Sequence, residues 1–153
     1  MVAESTGEPA IDETVRALLL LIPRLGSRAR RLPVPDDLRP FDLAPRHLSL
    51  LSYLLFDGPL TVSELAGRLE LAPTTVSLIV GDLNRRGVLA RREDDADRRR
   101  RIVDIAPAHR PAIAAWLEPG AAAWQAALTS LSPTQRQTFV GTLLAYEKAL
   151  TDV

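Results

Sequence analysis

Four consecutive arginines, Arg98-Arg99-Arg100-Arg101, follow directly on the acidic run Glu93-Asp94-Asp95-Ala96-Asp97. Guanidinium groups are planar, permanently charged donors suited to phosphate, and a neighbouring carboxylate can hold one extended; Asp97 is spaced to do this for Arg99. Exposed ion pairs contribute only about 0 to 1 kcal/mol, so stability alone is a poor reason for such a run, and a polyanion is the better-matched partner. A second polar group, Thr74, Thr75 and Ser77, follows Pro73 in a segment whose apolar residues Val76, Ile79, Val80 and Leu83 recur at helical spacing. That spacing sets the hydroxyls on the opposite face of a helix, near its N-terminus. Such positions reach base edges when a helix enters the major groove of DNA, and the partial positive charge of the helix start favours phosphate. Each residue also has a plain structural reading, as a capping hydroxyl or a solvated charge. Asn84, Arg85 and Arg86, at the far end of the same helix, suit backbone phosphate or solvent.

The elements around these residues can be read from local signals. Residues 11–31 form a helix with apolar positions Ile11, Val15, Leu18, Leu19 and Ile22, widened by Leu20 and Leu21 until most of its circumference is apolar. Such a helix calls for burial on more than one side. Pro33, Pro35 and Pro40 predict an extended linker. A helix from near Pro45 carries Leu48, Leu51, Tyr53, Leu54 and Leu55 and stops at Asp57-Gly58-Pro59. Thr61-Val62-Ser63-Glu64 has the capping-box pattern and starts a short helix with Leu65, Ala66 and Leu69. Pro73 suits the first position of the next helix, and Gly87 supplies the left-handed residue that ends it. Two short helices joined by a tight turn make a helix-turn-helix. Residues 88–92 and 101–105 then read as two strands around a charged tip, a hairpin wing. From Pro107 the chain returns to helix through Ile113, Trp116 and Leu117, is interrupted at Pro119-Gly120, and resumes through Trp124, Ala127 and Leu128. Ser132-Pro133-Thr134-Gln135 repeats the capping-box logic before a final helix through Phe139, Val140, Leu143, Leu144 and Leu150. The fold class is mainly α with a small β-hairpin wing.

Composition narrows the function classes. With 153 residues the chain fits one domain, 1–153. It has 19 Lys and Arg against 19 Asp and Glu, yet residues 85–101 hold eight arginines against four acids. A local excess of four positive charges can act on a phosphate backbone even over an acidic body, because charges further than about 8 Å away are screened at physiological salt. Cysteine is absent, and the only histidines are His47 and His109, so thiol chemistry is excluded and no metal site or cofactor is expected. No Gly-rich phosphate loop and no Ser-His-Asp arrangement recommends an enzyme, and no catalytic residue is assigned. The longest apolar run, Ala17 to Ile22, falls far short of the roughly 20 residues that span a bilayer, so no membrane partner is expected. Glu4, Glu8, Asp12 and Glu13 precede it, unlike a secretory leader, which predicts a cytoplasmic address.

The order of these features resembles the multiple antibiotic resistance regulator (MarR) family. The resemblance rests on Leu60-Thr61-Val62-Ser63-Glu64-Leu65-Ala66, Thr75-Val76-Ser77, Leu83-Asn84-Arg85-Arg86-Gly87-Val88-Leu89 and Asp97-Arg98-Arg99. It implies a winged helix-turn-helix over about 45–106, with dimerisation helices over about 11–31 and 107–152. It further implies a homodimer that binds a palindromic operator in double-stranded DNA as a repressor and releases it on binding a small aromatic or lipophilic effector. Pro73, Thr74, Thr75, Ser77 and Leu78 would face the major groove, and Asp97, Arg98, Arg99 and Arg100 would form the wing contact, with Arg99 in the minor groove. Leu78 departs from relatives that carry a base-reading arginine in this helix; it could at best touch a thymine methyl. Arg46, His47, Tyr53 and Trp116 are candidates for an effector cleft suited to an anionic aromatic molecule, although Tyr53 and Trp116, at helical spacing with aliphatic neighbours, read more readily as core, and His47 as a surface or core histidine. An alternative is a winged-helix protein-interaction module without DNA binding.

Overall fold

A helix-turn-helix can only present its second helix if the first is locked in place, and here both ends of the lock are local. In the computed structural model, which describes residues 10–152 and the side chains of all of these except Pro45 and Arg46, the chain forms α1 (Ile11–Ala29), a 3-10 helix (Asp36–Phe41), α2 (Pro45–Phe56), β1 (Leu60–Thr61), α3 (Val62–Leu69), α4 (Pro73–Arg85), β2 (Leu89–Glu93), β3 (Arg101–Ile105), a short 3-10 turn (Pro107–His109), α5 (Arg110–Leu128) and α6 (Pro133–Thr151). Two compact units result, one extending to Trp116 and the other starting at Leu117.

In the first unit, Thr61 caps α3, its hydroxyl accepting the Glu64 N–H at 3.2 Å while the Glu64 carboxylate accepts the Thr61 N–H at 2.7 Å. Glu70 ends α3 with φ 53, and Pro73 opens α4 as its first residue. Gly87, at φ 78, turns the chain out of α4 into β2, in the left-handed region where a side chain would be strained. The three strands lie in the order β1-β3-β2, antiparallel throughout, with Leu60 opposite Val103 and Arg92 opposite Ile102. Beneath them lies one apolar core: Leu50, Leu51 and Leu54 of α2, Leu65 of α3, Val76, Val80 and Leu83 of α4, Val103 and Ile105 of β3, and Ile113 and Trp116 of α5. The Asp104 carboxylate accepts from the Arg110 guanidinium at 2.7 Å, fastening β3 to the start of α5.

Several expected boundaries shift. Pro33, Pro35 and Pro40 do not hold the whole linker extended. Residues 36–41 coil into a 3-10 helix because Leu38 is drawn fully into the core, its N–H donating to the Pro35 carbonyl at 2.9 Å. Pro35 stands just before this helix, where a missing N–H costs no internal bond, and Pro40 lies inside it near its end. Nor is the helix after Pro107 interrupted at Pro119-Gly120: α5 runs through it, as α1 runs through Pro23. Each proline removes one backbone bond, and the carbonyls so released, of Ala115 and Leu19, belong to exposed residues that water can serve. Strand β1, of two residues, is too short to carry an alternating pattern in the sequence.

Two groups of apolar side chains face solvent. All of α1 from Ile11 to Leu25 is exposed, with Ile11 at 80% and Leu19 at 60%. In the second unit, α6 exposes Val140, Leu143, Leu144, Tyr146 and Leu150. Its start is capped by Ser132 and Gln135 as their spacing predicts, and Trp124 meets Phe139 at 5.8 Å between ring centres.

Candidate nucleic-acid interface

The first two turns of α4 divide cleanly. Val76 and Val80 are buried, while Pro73, Thr74, Thr75, Ser77 and Leu78 are all exposed. Among the described residues, no protein group engages the hydroxyls of Thr74, Thr75 or Ser77. The cap residue Ala72 offers no side-chain acceptor, so the first N–H groups of α4 also point outward unserved by a side chain. The five residues predicted from the helical period therefore lie together on one open face. At the other end of α4, the Arg86 guanidinium is occupied: it pairs with Asp82 at 2.7 Å and donates to the Phe41 carbonyl at 2.7 Å. Phe41 in turn stacks edge-on against His109 at 4.6 Å. Arg85 lies 3.5 Å from Asp82.

The wing tip is organised by short side chains. Asp94 accepts from the Ala96 N–H and Asp97 from the Arg99 N–H, each at 3.0 Å, so two carboxylates fold the loop back on its own backbone. The expected Asp97–Arg99 pairing takes this form, through the Arg99 amide and not through its guanidinium. The arginines divide accordingly. Arg98 and Arg99 make no ion pair among the described residues, and both are exposed. Arg100 is turned back, 2.7 Å from Glu64 Oε1 and 3.5 Å from Asp94. Arg92 pairs with Asp95 at 3.3 Å. Arg91 and Arg101 flank a depression of about 200 Å³ together with Val62 and Val103.

Glu64 emerges with a second role. One carboxylate oxygen caps α3 and the other holds Arg100, 36 residues further along, so the wing is tied to the first helix of the helix-turn-helix. The backbone and hydroxyl hydrogen bonds from Thr61 lower its pKa below the ordinary 4.5, and the Arg100 charge adds to this against a small desolvation penalty. The capping box was visible in the sequence; the bridge to Arg100 has no local signal.

Of the four cleft candidates, three have described side chains. His47 is buried at 3% exposure, its Nδ1 accepting the Ala44 N–H at 3.0 Å at the start of α2. Trp116 is buried at 4% in the core, and its Nε1–H has no partner among the described residues. Tyr53 is half-buried and, with Ser49, Ser52, Phe56 and Asp57, lines an open depression of about 370 Å³ on α2. The Arg46 side chain lies outside the described residues. No grouping of three His, Cys, Asp or Glu suited to a metal occurs among the described residues, and none of their helices is long and apolar enough to cross a membrane.

Residues 41–100, which include α2 through the wing tip, match the model of the MarR family. The chain also shares its fold with solved structures. A MarR family protein from Bacillus stearothermophilus is 23% identical with a TM-score of 0.61, over 94% of this chain and 99% of that one. S. aureus MepR in its DNA-binding conformation is 20% identical with a TM-score of 0.67, over 89% and 98%. Bordetella bronchiseptica BpsR, whose DNA binding is regulated by 6-hydroxynicotinic acid, is 22% identical with a TM-score of 0.59, over 88% and 98%. No curated protein sequence matches the chain. At these identities the likeness is one of fold.

Proposed function

We propose that the chain is a MarR-family transcriptional regulator that binds double-stranded DNA as a homodimer. The observation that carries this reading is the pairing, within one winged-helix unit, of an open hydroxyl-bearing face at the start of α4 with two wing-tip arginines, Arg98 and Arg99, whose guanidinium groups make no ion pair among the described residues. Pro73, Thr74, Thr75, Ser77 and Leu78 would enter the major groove. Arg98 and Arg99 would reach the adjacent minor groove, where negative potential is greatest when the groove is narrow. Arg100 and Asp97 would act on the wing itself, the first as a strut to Glu64 and the second as the support of the Arg99 backbone.

Dimerisation would use the exposed apolar residues of α1 and of α6, which would otherwise remain in water. Two-fold symmetry then requires a palindromic operator with half-sites about one helical turn apart. We further propose a cytoplasmic, ligand-responsive repressor. The DNA-binding conformation of MepR and the effector-controlled DNA binding of BpsR are in line with this. For an aromatic or lipophilic effector, Tyr53 offers an accessible edge at the α2 depression, and Arg46, His47 and Trp116 complete the set of candidates. A protein-interaction module that had given up DNA would be expected to lose its basic wing, and the retained Arg98 and Arg99 favour DNA.

Selection of bound duplexes from a random pool by the purified protein tests the reading. Enrichment of a palindrome is the expected result. A folded, dimeric protein that enriches no sequence would transfer the assignment to a protein-binding module.

A further inference from the structure

We propose that α4 reads its half-site through thymine methyl groups, with Leu78 as the specificity-determining residue. The proposal rests on the DNA-binding reading above and deepens it. Leu78 is 75% exposed, whereas every other large apolar residue of α4 is buried or half-buried. It follows Thr74 by four residues and Thr75 by three, which on a helix makes the three side chains neighbours on one face. Two threonine methyls and a leucine thus form a continuous apolar ridge with hydroxyls at its flank.

The same face lacks the alternative. Reading guanine or adenine in the major groove needs a two-pronged donor or donor-acceptor, an arginine, lysine, asparagine or glutamine. From Pro73 to Gly81 there is none. The first amide and the first cation, Asn84 and Arg85, stand in the last turn, and Arg85 is drawn toward Asp82. The base feature that this ridge complements is the C5-methyl of thymine, and the hydroxyls can meet either phosphate or base edges without strong choice. An apolar side chain so exposed in water gains from covering a methyl what a polar one would lose.

The test uses the full-length protein and the duplex obtained by selection. Each thymine is replaced by deoxyuridine, symmetrically in both half-sites, which removes the methyl and leaves the pairing edge intact. One symmetric replacement is expected to weaken binding about four-fold per half-site, about 15-fold for the dimer, the transfer free energy of one methyl group at each. Leu78→Ala, a change on an exposed helical position that both residues favour, is expected to bind the thymine and uracil duplexes equally. If no uracil replacement weakens wild-type binding, or if the loss persists undiminished in Leu78→Ala, methyl reading by Leu78 is wrong while the regulator assignment stands. Absence of binding to any duplex overturns both.

Discussion

Replacing Arg99 and Arg100 separately by alanine discriminates between two neighbours that look alike in sequence. Arg99 has no ion-pair partner among the described residues, so its charge is available to DNA; Arg100 is held 2.7 Å from Glu64 and 3.5 Å from Asp94. A wing arginine that neutralises phosphate displaces counterions, and each such contact adds about 0.9 to the slope of log affinity against log salt. Two wings therefore lose about 1.8 from that slope in Arg99→Ala, so the wild-type advantage shrinks about twelve-fold between about 50 and 200 mM salt. Arg100→Ala removes an internal strut worth at most about 1 kcal/mol per wing and is expected to lower affinity by a similar factor at every salt concentration. Fluorescence anisotropy on the selected duplex, titrated across that range with each variant, measures both slopes. An unchanged slope in Arg99→Ala, or an equal fall in both variants, would refute the division of labour read from the ion pairs.

Two other outcomes follow from the same geometry. Leu19→Glu combined with Leu144→Glu places charge on the exposed apolar residues of α1 and α6 and is expected to convert two-chain particles into single chains in sedimentation, with the winged-helix core intact; particles that remain two-chain would remove these helices from the interface. Glu64 has a lowered pKa in the folded protein, so its contribution to stability is present above about pH 4.5 and is lost as pH falls through the lower folded value. Glu64→Gln keeps an acceptor for the Thr61 N–H but cannot titrate. The stability gap between wild type and this variant, measured by urea unfolding at fixed protein concentration, should narrow between about pH 7 and pH 3, and a constant gap would count against the assigned role.

Short-range physics accounts for the features that were legible along the chain. Thr61 with Glu64 and Ser132 with Gln135 are capping boxes closed within one turn, Pro73 needs only its own φ to start α4, and Gly87 only its own freedom to end it. The helical period separates Val76, Val80 and Leu83 from Thr74, Thr75 and Leu78 without reference to any other element, so the exposed face of α4 was legible in full. The tertiary structure decided whatever depends on groups far apart in the chain. Burial of Leu38 coils a proline-rich linker that local rules make extended, and pairing with β3 turns Leu60-Thr61 into a strand. Burial places Trp116 in the core and leaves Tyr53 half-buried against it, at the edge of the α2 depression. Most directly, among the described residues the contact with Glu64 takes Arg100 out of a run of four chemically identical arginines and leaves the guanidinium groups of Arg98, Arg99 and Arg101 without an ion pair. Charge can be counted from composition, but which charge is available depends on the partner that the fold brings within hydrogen-bonding distance.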